Sequence, residues 1–224
     1  MRINRYLAHI TGMSRRAADR AVAEGRVQVG GIVAEIGQAV GEHESVLLDG
    51  QPLAAAPQST TTVMLNKPAG FVVSRMGQGS HTVYDLLPAP LHRLKPVGRL
   101  DKASSGLLLL SDDGELAHEL THPSQQKSKL YEAELDRPLA PLHRQMIADF
   151  GVQLEDGLSR LGLERLRDGD ENGWLVRMSE GRNRQIRRTF ASLGYEVVRL
   201  HRIQFGPYHL GDLAEGTFVP VEVA

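Results

Sequence analysis

Three kinds of side chain in this 224-residue sequence could do chemistry together: one carboxylate, a cluster of arginines and one tyrosine. The carboxylate is Asp101, in Gly98-Arg99-Leu100-Asp101-Lys102-Ala103-Ser104-Ser105-Gly106. This polar segment lies between the basic residues His92, Arg93 and Lys95 and the apolar run Leu107 to Leu110. An acid at the mouth of a buried strand is held at its base and exposed at its tip, which suits a reacting group. The same placement suits an ordinary turn, in which Asp accepts hydrogen bonds from nearby backbone N–H groups. The arginines lie in Glu180-Gly181-Arg182-Asn183-Arg184-Gln185-Ile186-Arg187-Arg188. Arg184, Arg187 and Arg188 fall within one helical turn, where their guanidinium groups converge and repel unless an anion is present. A phosphate or a catalytic carboxylate would answer that need. The tyrosine, Tyr131, follows a lysine on the alternating stretch Lys129 to Leu135. A lone carboxylate with an arginine partner and an aromatic ring suits nucleophilic or general-base chemistry on a flat, flipped base. The guanidinium would oppose the desolvation that otherwise favours the protonated acid.

Other chemistries fit less well. The chain has no cysteine, so disulfides, thiolate catalysis and Cys-ligated metal sites are excluded, and a reducing cytoplasm is the expected location. The Gly-rich stretch Met76 to His81 lacks the Walker pattern. His118 and His122 are four apart and could ligate zinc from one helix face, but no third ligand is evident and Pro123 ends the helix at once. No metal and no cofactor is expected. A glycosidase would need a second carboxylate at fixed separation, and the candidates Asp112 and Asp113 sit across an apolar strand from Asp101. No apolar run approaches 18 residues, and no signal-peptide core follows Met1-Arg2-Ile3-Asn4-Arg5, so no membrane partner is expected.

The net charge of −1 does not announce a polyanion partner, but its distribution does. In residues 1–26, Arg2, Arg5, Arg15, Arg16, Arg20 and Arg26 face only Asp19 and Glu24. In residues 181–202, Arg182, Arg184, Arg187, Arg188, Arg199 and Arg202 face only Glu196. Arg offers a planar fork for phosphate and a face for bases, so two all-arginine patches favour RNA or DNA over two solvated helix faces.

The elements that must position these groups follow from periodicity. Helices are expected at 3–10 and 15–24, the second capped by Ser14, followed by short strands at 26–29, 32–34 and 45–48. Ala54 to Thr61 reads as a linker. Beyond it, strands are expected at 62–65, 71–74, 94–97, 106–111, 129–135, 161–167, 173–179, 196–205 and 217–221. Helices are expected at 83–87, 115–120, 141–150 and from about 184 to 193. Lys67, in the turn Asn66-Lys67-Pro68-Ala69-Gly70, is either a surface turn residue or a phosphate contact. Interspersed strands and helices without a regular βαβ repeat predict an α+β fold with a mixed, largely antiparallel sheet and flanking helices.

Residues 1–53 resemble the S4 RNA-binding domain, a small α/β module. The likeness rests on Arg2-Ile3-Asn4-Arg5-Tyr6-Leu7, on Ser14-Arg15-Arg16-Ala17 and on Gly25-Arg26-Val27-x-Val29-x-Gly31. It implies RNA binding through the second helix and the hairpin that follows, with Arg2, Arg5, Arg15, Arg16, Arg20 and Arg26 as contacts. Residues 62–224 resemble the catalytic domain of the ribosomal RNA pseudouridine synthases of the RsuA type. The matching pieces are Lys67-Pro68-Ala69-Gly70, Gly98-Arg99-Leu100-Asp101 continuing to Leu108, Asp113-Gly114-Glu115, Lys129-Leu130-Tyr131 and Glu180 to Arg188.

The resemblance implies isomerisation of a uridine, extruded from folded RNA, to pseudouridine. Asp101 would be the essential aspartate, Tyr131 the ring on the uracil, Arg187 the partner of Asp101 and Ile186 the wall of the base pocket. Arg99 would brace the space that the flipped base leaves. Lys67, Arg182, Arg184 and Arg188 would contact RNA. The partner would be ribosomal RNA or a ribosome-assembly intermediate, and the protein a monomer. The Arg-Asn-Arg-Gln-Ile-Arg-Arg form is closer to large-subunit than to small-subunit enzymes. A non-catalytic S4-type RNA binder is the competing reading, and it predicts decay of the motif residues that are present here.

Overall fold

The computed structural model describes residues 1–41, 43–53 and 60–222, and the chain divides into two compact units, Met1–Thr60 and Thr61–Ala224. Most of the expected linker, 54–61, lies outside the described residues. Among the described residues no helix is long and apolar enough to cross a membrane.

In the first unit, helices α1 (Ile3–Thr11) and α2 (Arg15–Ala23) precede strands β1 (Val27–Val29), β2 (Ile32–Val33), β3 (Val46–Leu48) and β4 (Gln51–Pro52). Gly12 ends α1 with φ +74°, and the Ser14 side chain caps α2 by accepting from Ala17 N. The strands form an antiparallel sheet in the order β2-β1-β3-β4. Ile3, Leu7, Ala18, Val22, Val27 and Val46 bury the facing surfaces. The arginines of α2 are left on the outer face, because its apolar positions recur at helical spacing.

The second unit is built on a nine-stranded sheet. Its strands are β5 (Thr62–Lys67), β6 (Lys95–Val97), β7 (Ser105–Ser111), β8 (Lys129–Leu135), β11 (Gly162–Arg165), β12 (Gly173–Met178), β13 (Val197–Phe205), β14 (Tyr208–His209) and β15 (Phe218–Pro220). The main path runs β11-β12-β8-β13-β7-β5-β15, with β6 beside β7 and β14 beside β13. Only β13 and β7 run parallel, so the sheet is mixed and largely antiparallel, as the sequence pattern predicts. A separate hairpin, β9 (Val152–Leu154) with β10 (Gly157–Ser159), stands outside it. The helices are α3 (Gly114–Thr121), α4 (Pro141–Gln145) and α5 (Gln185–Ala191).

Strand β7 is the axis of the unit. Leu107, Leu108, Leu109 and Leu110 are each 0% exposed. Alternate side chains enter opposite cores, Leu108 and Leu110 with Val63, Leu65 and Ala133, and Leu107 and Leu109 with Phe205, Leu116 and Leu120. Burying each leucine contributes about 2 kcal/mol, so the strand that follows Asp101 is a rigid base. Gly106 is required where β7 meets β13. Its φ is +101°, and a Cβ there would come within 2.3 Å of the Arg202 carbonyl oxygen.

Two expected elements differ. Residues 71–74 form no strand; Val72 makes only an isolated bridge to Thr82. Pro68 has no N–H, and the Gly70 N–H is given to Lys102 O at 2.7 Å, so the chain is drawn to the Asp101 loop rather than along the sheet. The helix expected at 141–150 is α4 followed by a π turn over Met146–Phe150, which Gly151 ends at φ +81°.

Candidate active site

Asp101 lies in the loop from Gly98 to Ser104, between β6 and β7. Gly98 turns the chain at φ +73°, against Thr121 and Phe205. The Ser104 N–H closes the loop on Asp101 O at 3.0 Å. Two cations hold further carbonyl groups of the loop and its neighbours. Lys67 Nζ donates to Ser104 O at 2.6 Å, to Pro68 O at 2.9 Å and, more weakly, to Lys102 O at 3.5 Å. Arg187 Nη2 donates to Ala103 O at 3.1 Å, and its Nη1 to Val197 O at 2.5 Å. With its backbone fixed on both sides, the loop presents the Asp101 side chain 33% exposed.

These contacts correct the roles expected of Lys67 and Arg187. Lys67 is 0% exposed, so it is neither a surface turn residue nor a phosphate contact. It is the last residue of β5, and alternation turns its side chain inward beneath the loop. Burial pushes its ammonium down to about 8, against the pull of the Asp101 and Glu215 carboxylates. Arg187 does not pair directly with Asp101. Its guanidinium is spent on backbone carbonyls, and burial with the nearby Arg184 charge pushes it down, opposed by Asp101 and Glu196. The ion pair that Asp101 does make is with Arg184, Nη1 to Oδ2 at 3.6 Å. Arg184 is half exposed and precedes α5 in the left-handed region, φ 47° and ψ 32°, an uncommon conformation for a residue with a β-carbon.

Arg182 and Arg188 are corrected too. Arg182 reaches Asp156 Oδ1 and O, Gly157 O and Leu158 O, all near 3.0 Å, and Glu180 at 3.1 Å. Arg188 holds both Asp156 oxygens, at 3.0 and 2.6 Å, and Asn183 O at 2.8 Å. Asp156 sits in the β9–β10 turn, whose carbonyls complete the clamp, and the arginines hold its carboxyl below the usual range, Arg188 most strongly. Both side chains therefore secure the start of α5 to the β9–β10 hairpin. Gln185 adds bonds to Ser159 and Glu180, and α5 is left with Ile186 buried toward the cleft.

Asp101, Arg99, Tyr131, Arg184 and Ile186 border one cleft of about 670 Å³. Tyr131 reaches it from β8, where it is paired with Val176 and Arg202 and is almost wholly buried. Lys129, Arg202, Lys102 and His122 border the same cleft and were not singled out from sequence as site residues. For Lys129 a signal existed, since period-two alternation places it on the face of Tyr131. For Arg202 the signal is its place in the basic stretch 181–202, which does not say that it faces the cleft rather than solvent. His118 and His122 stack at 4.7 Å, and His122 Nδ1 is hydrogen-bonded to Ser124 Oγ at 2.7 Å.

In the first unit Arg2, Arg5, Arg15, Arg16 and Arg20 are exposed. Among the described residues Arg15 makes a long contact, 3.5 Å, to Asn4, whose amide also donates to Asp19 at 2.8 Å. Arg26 departs from the expected RNA contact. Its guanidinium grips both Asp49 oxygens, at 2.7 and 2.6 Å, and Glu24 at 3.1 Å, so its charge is answered within the unit.

Comparison with known proteins agrees with this geometry. The family model described as RNA pseudouridylate synthase matches residues 61–192. The ribosomal large subunit pseudouridine synthase B of Pseudomonas aeruginosa is 38% identical over 219 residues, which cover 93% of this chain and 56% of that protein. The ribosomal small subunit pseudouridine synthase A of Pasteurella multocida is 35% identical over 223 residues, covering 97% and 94%. The chain spans about half the length of several large-subunit relatives that it matches. A crystal structure of a pseudouridylate synthase matches with a TM-score of 0.70 at 29% identity, over 99% of this chain and 96% of that one. A cleft with Asp101, one buried tyrosine and an arginine-rich border, on a chain that the family model matches over residues 61–192 and a relative matches over 97% of its length, thus places this protein in the RNA pseudouridylate synthase family.

Proposed function

We propose that this chain converts one uridine of ribosomal RNA to pseudouridine, with the Asp101 carboxylate facing C1′ of a uridine flipped into the cleft. The observation that carries this reading is the Asp101 loop itself, whose backbone is pinned by Lys67 and Arg187 while the carboxylate stays at the cleft. Breaking the N1–C1′ bond develops positive charge on the sugar, which the carboxylate opposes whether or not it bonds to C1′. The freed uracil turns, C5 bonds to C1′, the C5 proton leaves and N1 ends protonated, so the atoms balance without a co-reactant. Tyr131 supplies a face for the uracil and a phenol near the proton that leaves. Ile186 lines the base pocket, and Arg99 fills the space vacated in the RNA. Arg184 neutralises Asp101 before RNA arrives and contacts RNA afterwards.

The first unit acts as an S4-type RNA-binding module through Arg15, Arg16 and Arg20 of α2, with Arg2 and Arg5 beside them. The two relatives described above carry large-subunit and small-subunit names. We favour a large-subunit target, because the Arg-Asn-Arg-Gln-Ile-Arg-Arg stretch is closer to that group. The enzyme works as a cytoplasmic monomer on ribosomal RNA or an assembly intermediate. The test is incubation with large- and small-subunit transcripts, followed by pseudouridine mapping and assay of free uracil. One new pseudouridine with no uracil released is expected; released uracil would mark a hydrolase, and binding without conversion a non-catalytic RNA binder.

A further inference from the structure

The cleft also holds two cations to which the proposed chemistry at Asp101 gives no part. Arg202 of β13 and Lys129 of β8 both border it, and both lie over the ring of Phe205, with the Arg202 guanidinium carbon 4.7 Å and Lys129 Nζ 5.3 Å from its centroid. Register sets this up, since Lys129 is the cross-strand partner of Phe205. Arg202 is 2% exposed. Its Nε donates to Leu107 O at 2.8 Å, but its Nη2 is buried and has no partner among the described residues. Lys129 donates only to the carbonyls of Lys127 and Glu180. The carboxylates in reach are engaged elsewhere, Glu180 with Arg182 and Gln185, and Glu119 with Lys127.

Two cations sharing one aromatic ring, with no carboxylate of their own, repel each other. Burial and the Arg202 charge together push the Lys129 ammonium down, against the weaker pull of Glu180. An unpartnered buried N–H on a guanidinium is costly as well. A neutral carbonyl would satisfy the N–H and leave the repulsion, whereas an anion answers both. Gly98, whose added Cβ would lie 3.9 Å from Phe205, is three residues and so at most about 10 Å of chain before Asp101, and the cations and Asp101 border one cleft.

We propose that Arg202 and Lys129, seated on Phe205, form a subsite for one phosphodiester of the RNA strand flanking the target uridine. The inference rests on the RNA-modifying reading of the same cleft. The phosphate anchors the strand on one side while the uridine turns into the site, so this contact sets which way the RNA lies across Asp101.

The test uses the full chain carrying Asp101→Asn, which binds RNA without turnover, and the ribosomal RNA segment that the wild-type enzyme converts. Neutral methylphosphonates replace the linkages around the target uridine one at a time. One linkage is expected to weaken binding about ten-fold, the value of one charge-assisted contact. With Lys129→Gln added, the same replacement should cost less than about two-fold, while the other linkages behave as before. Arg202→Lys, which keeps the charge and fills most of the buried volume, should give an intermediate loss at that linkage. An identical pattern with and without Lys129→Gln overturns the subsite. Failure of the underlying reading is separate, appearing as no converted uridine with the wild-type enzyme on unmodified RNA, and it would remove this inference with it.

Discussion

The two arginine-rich stretches of this protein look alike in sequence and are opposites in structure. In residues 181–188, Arg182 and Arg188 are consumed by Asp156 and the carbonyls of the β9–β10 hairpin, and Arg187 holds the carbonyls of Ala103 in the Asp101 loop and of Val197 in β13. Only Arg184 keeps a single long ion pair and half its surface. In residues 1–26 the balance is reversed, because Arg16 and Arg20 stand exposed on α2 while Arg26 is held by Asp49 and Glu24. Charge density alone therefore does not mark a nucleic-acid surface. What matters is whether the fold already supplies the acceptors, and a guanidinium with five N–H groups can be as much a clamp for backbone as a fork for phosphate.

The contrast breaks most readily at Arg182. Arg182→Ala should cost about 3 kcal/mol of stability in urea denaturation, because it strips one mostly buried cation from five acceptors. RNA affinity measured on the folded protein should hardly move. A stability loss near zero would return Arg182 to the RNA-binding set.

A smaller effect, of the opposite kind, is expected at Arg15 and Arg16. The double alanine variant should weaken RNA binding about ten-fold and make the slope of log Kd against log salt shallower by between about 1 and 2, with little change in stability. A slope like that of the wild type would show that α2 is not the RNA contact.

The pH dependence of Lys67 has a definite sign. Its folded pKa is pushed down to about 8 by burial, against about 10.4 for a free lysine. Below pH 8 both folded and unfolded chains hold the proton, and the full burial penalty is present. Between pH 8 and about 10.4 the unfolded chain binds more protons, so the Lys67 contribution to stability rises with pH. Relative to Lys67→Met, the wild-type chain should gain roughly 1–3 kcal/mol between pH 7.5 and 10.5. Parallel pH profiles of the two proteins would contradict the buried, charged Lys67.

Much of this was legible in the sequence, and the reasons differ from residue to residue. The Leu107 to Leu110 run reads as a doubly buried strand because no polar position interrupts it, and that places Asp101 at its mouth. The Ser14 cap and the apolar spacing of α2 are equally local. Arg187 and Lys67 were misjudged for a common reason, since their acceptors are carbonyls of Val197, Ala103, Pro68 and Ser104, and a carbonyl has no sequence signature. The β9–β10 hairpin was missed because its strands are three residues each, and with it went Asp156, the anchor of Arg182 and Arg188. Tyr131 was identified from its place beside Lys129, whereas the part of Lys129 itself emerges only from its register with Phe205.

The most direct test is Asp101→Asn, which keeps the shape of the loop and removes the charge. Pseudouridine formation should fall by at least about a thousand-fold, the scale expected when a reacting carboxylate is lost, while RNA affinity stays within a few-fold and the melting temperature within a few degrees. Turnover near that of wild type would contradict the assignment of the chemistry to this loop.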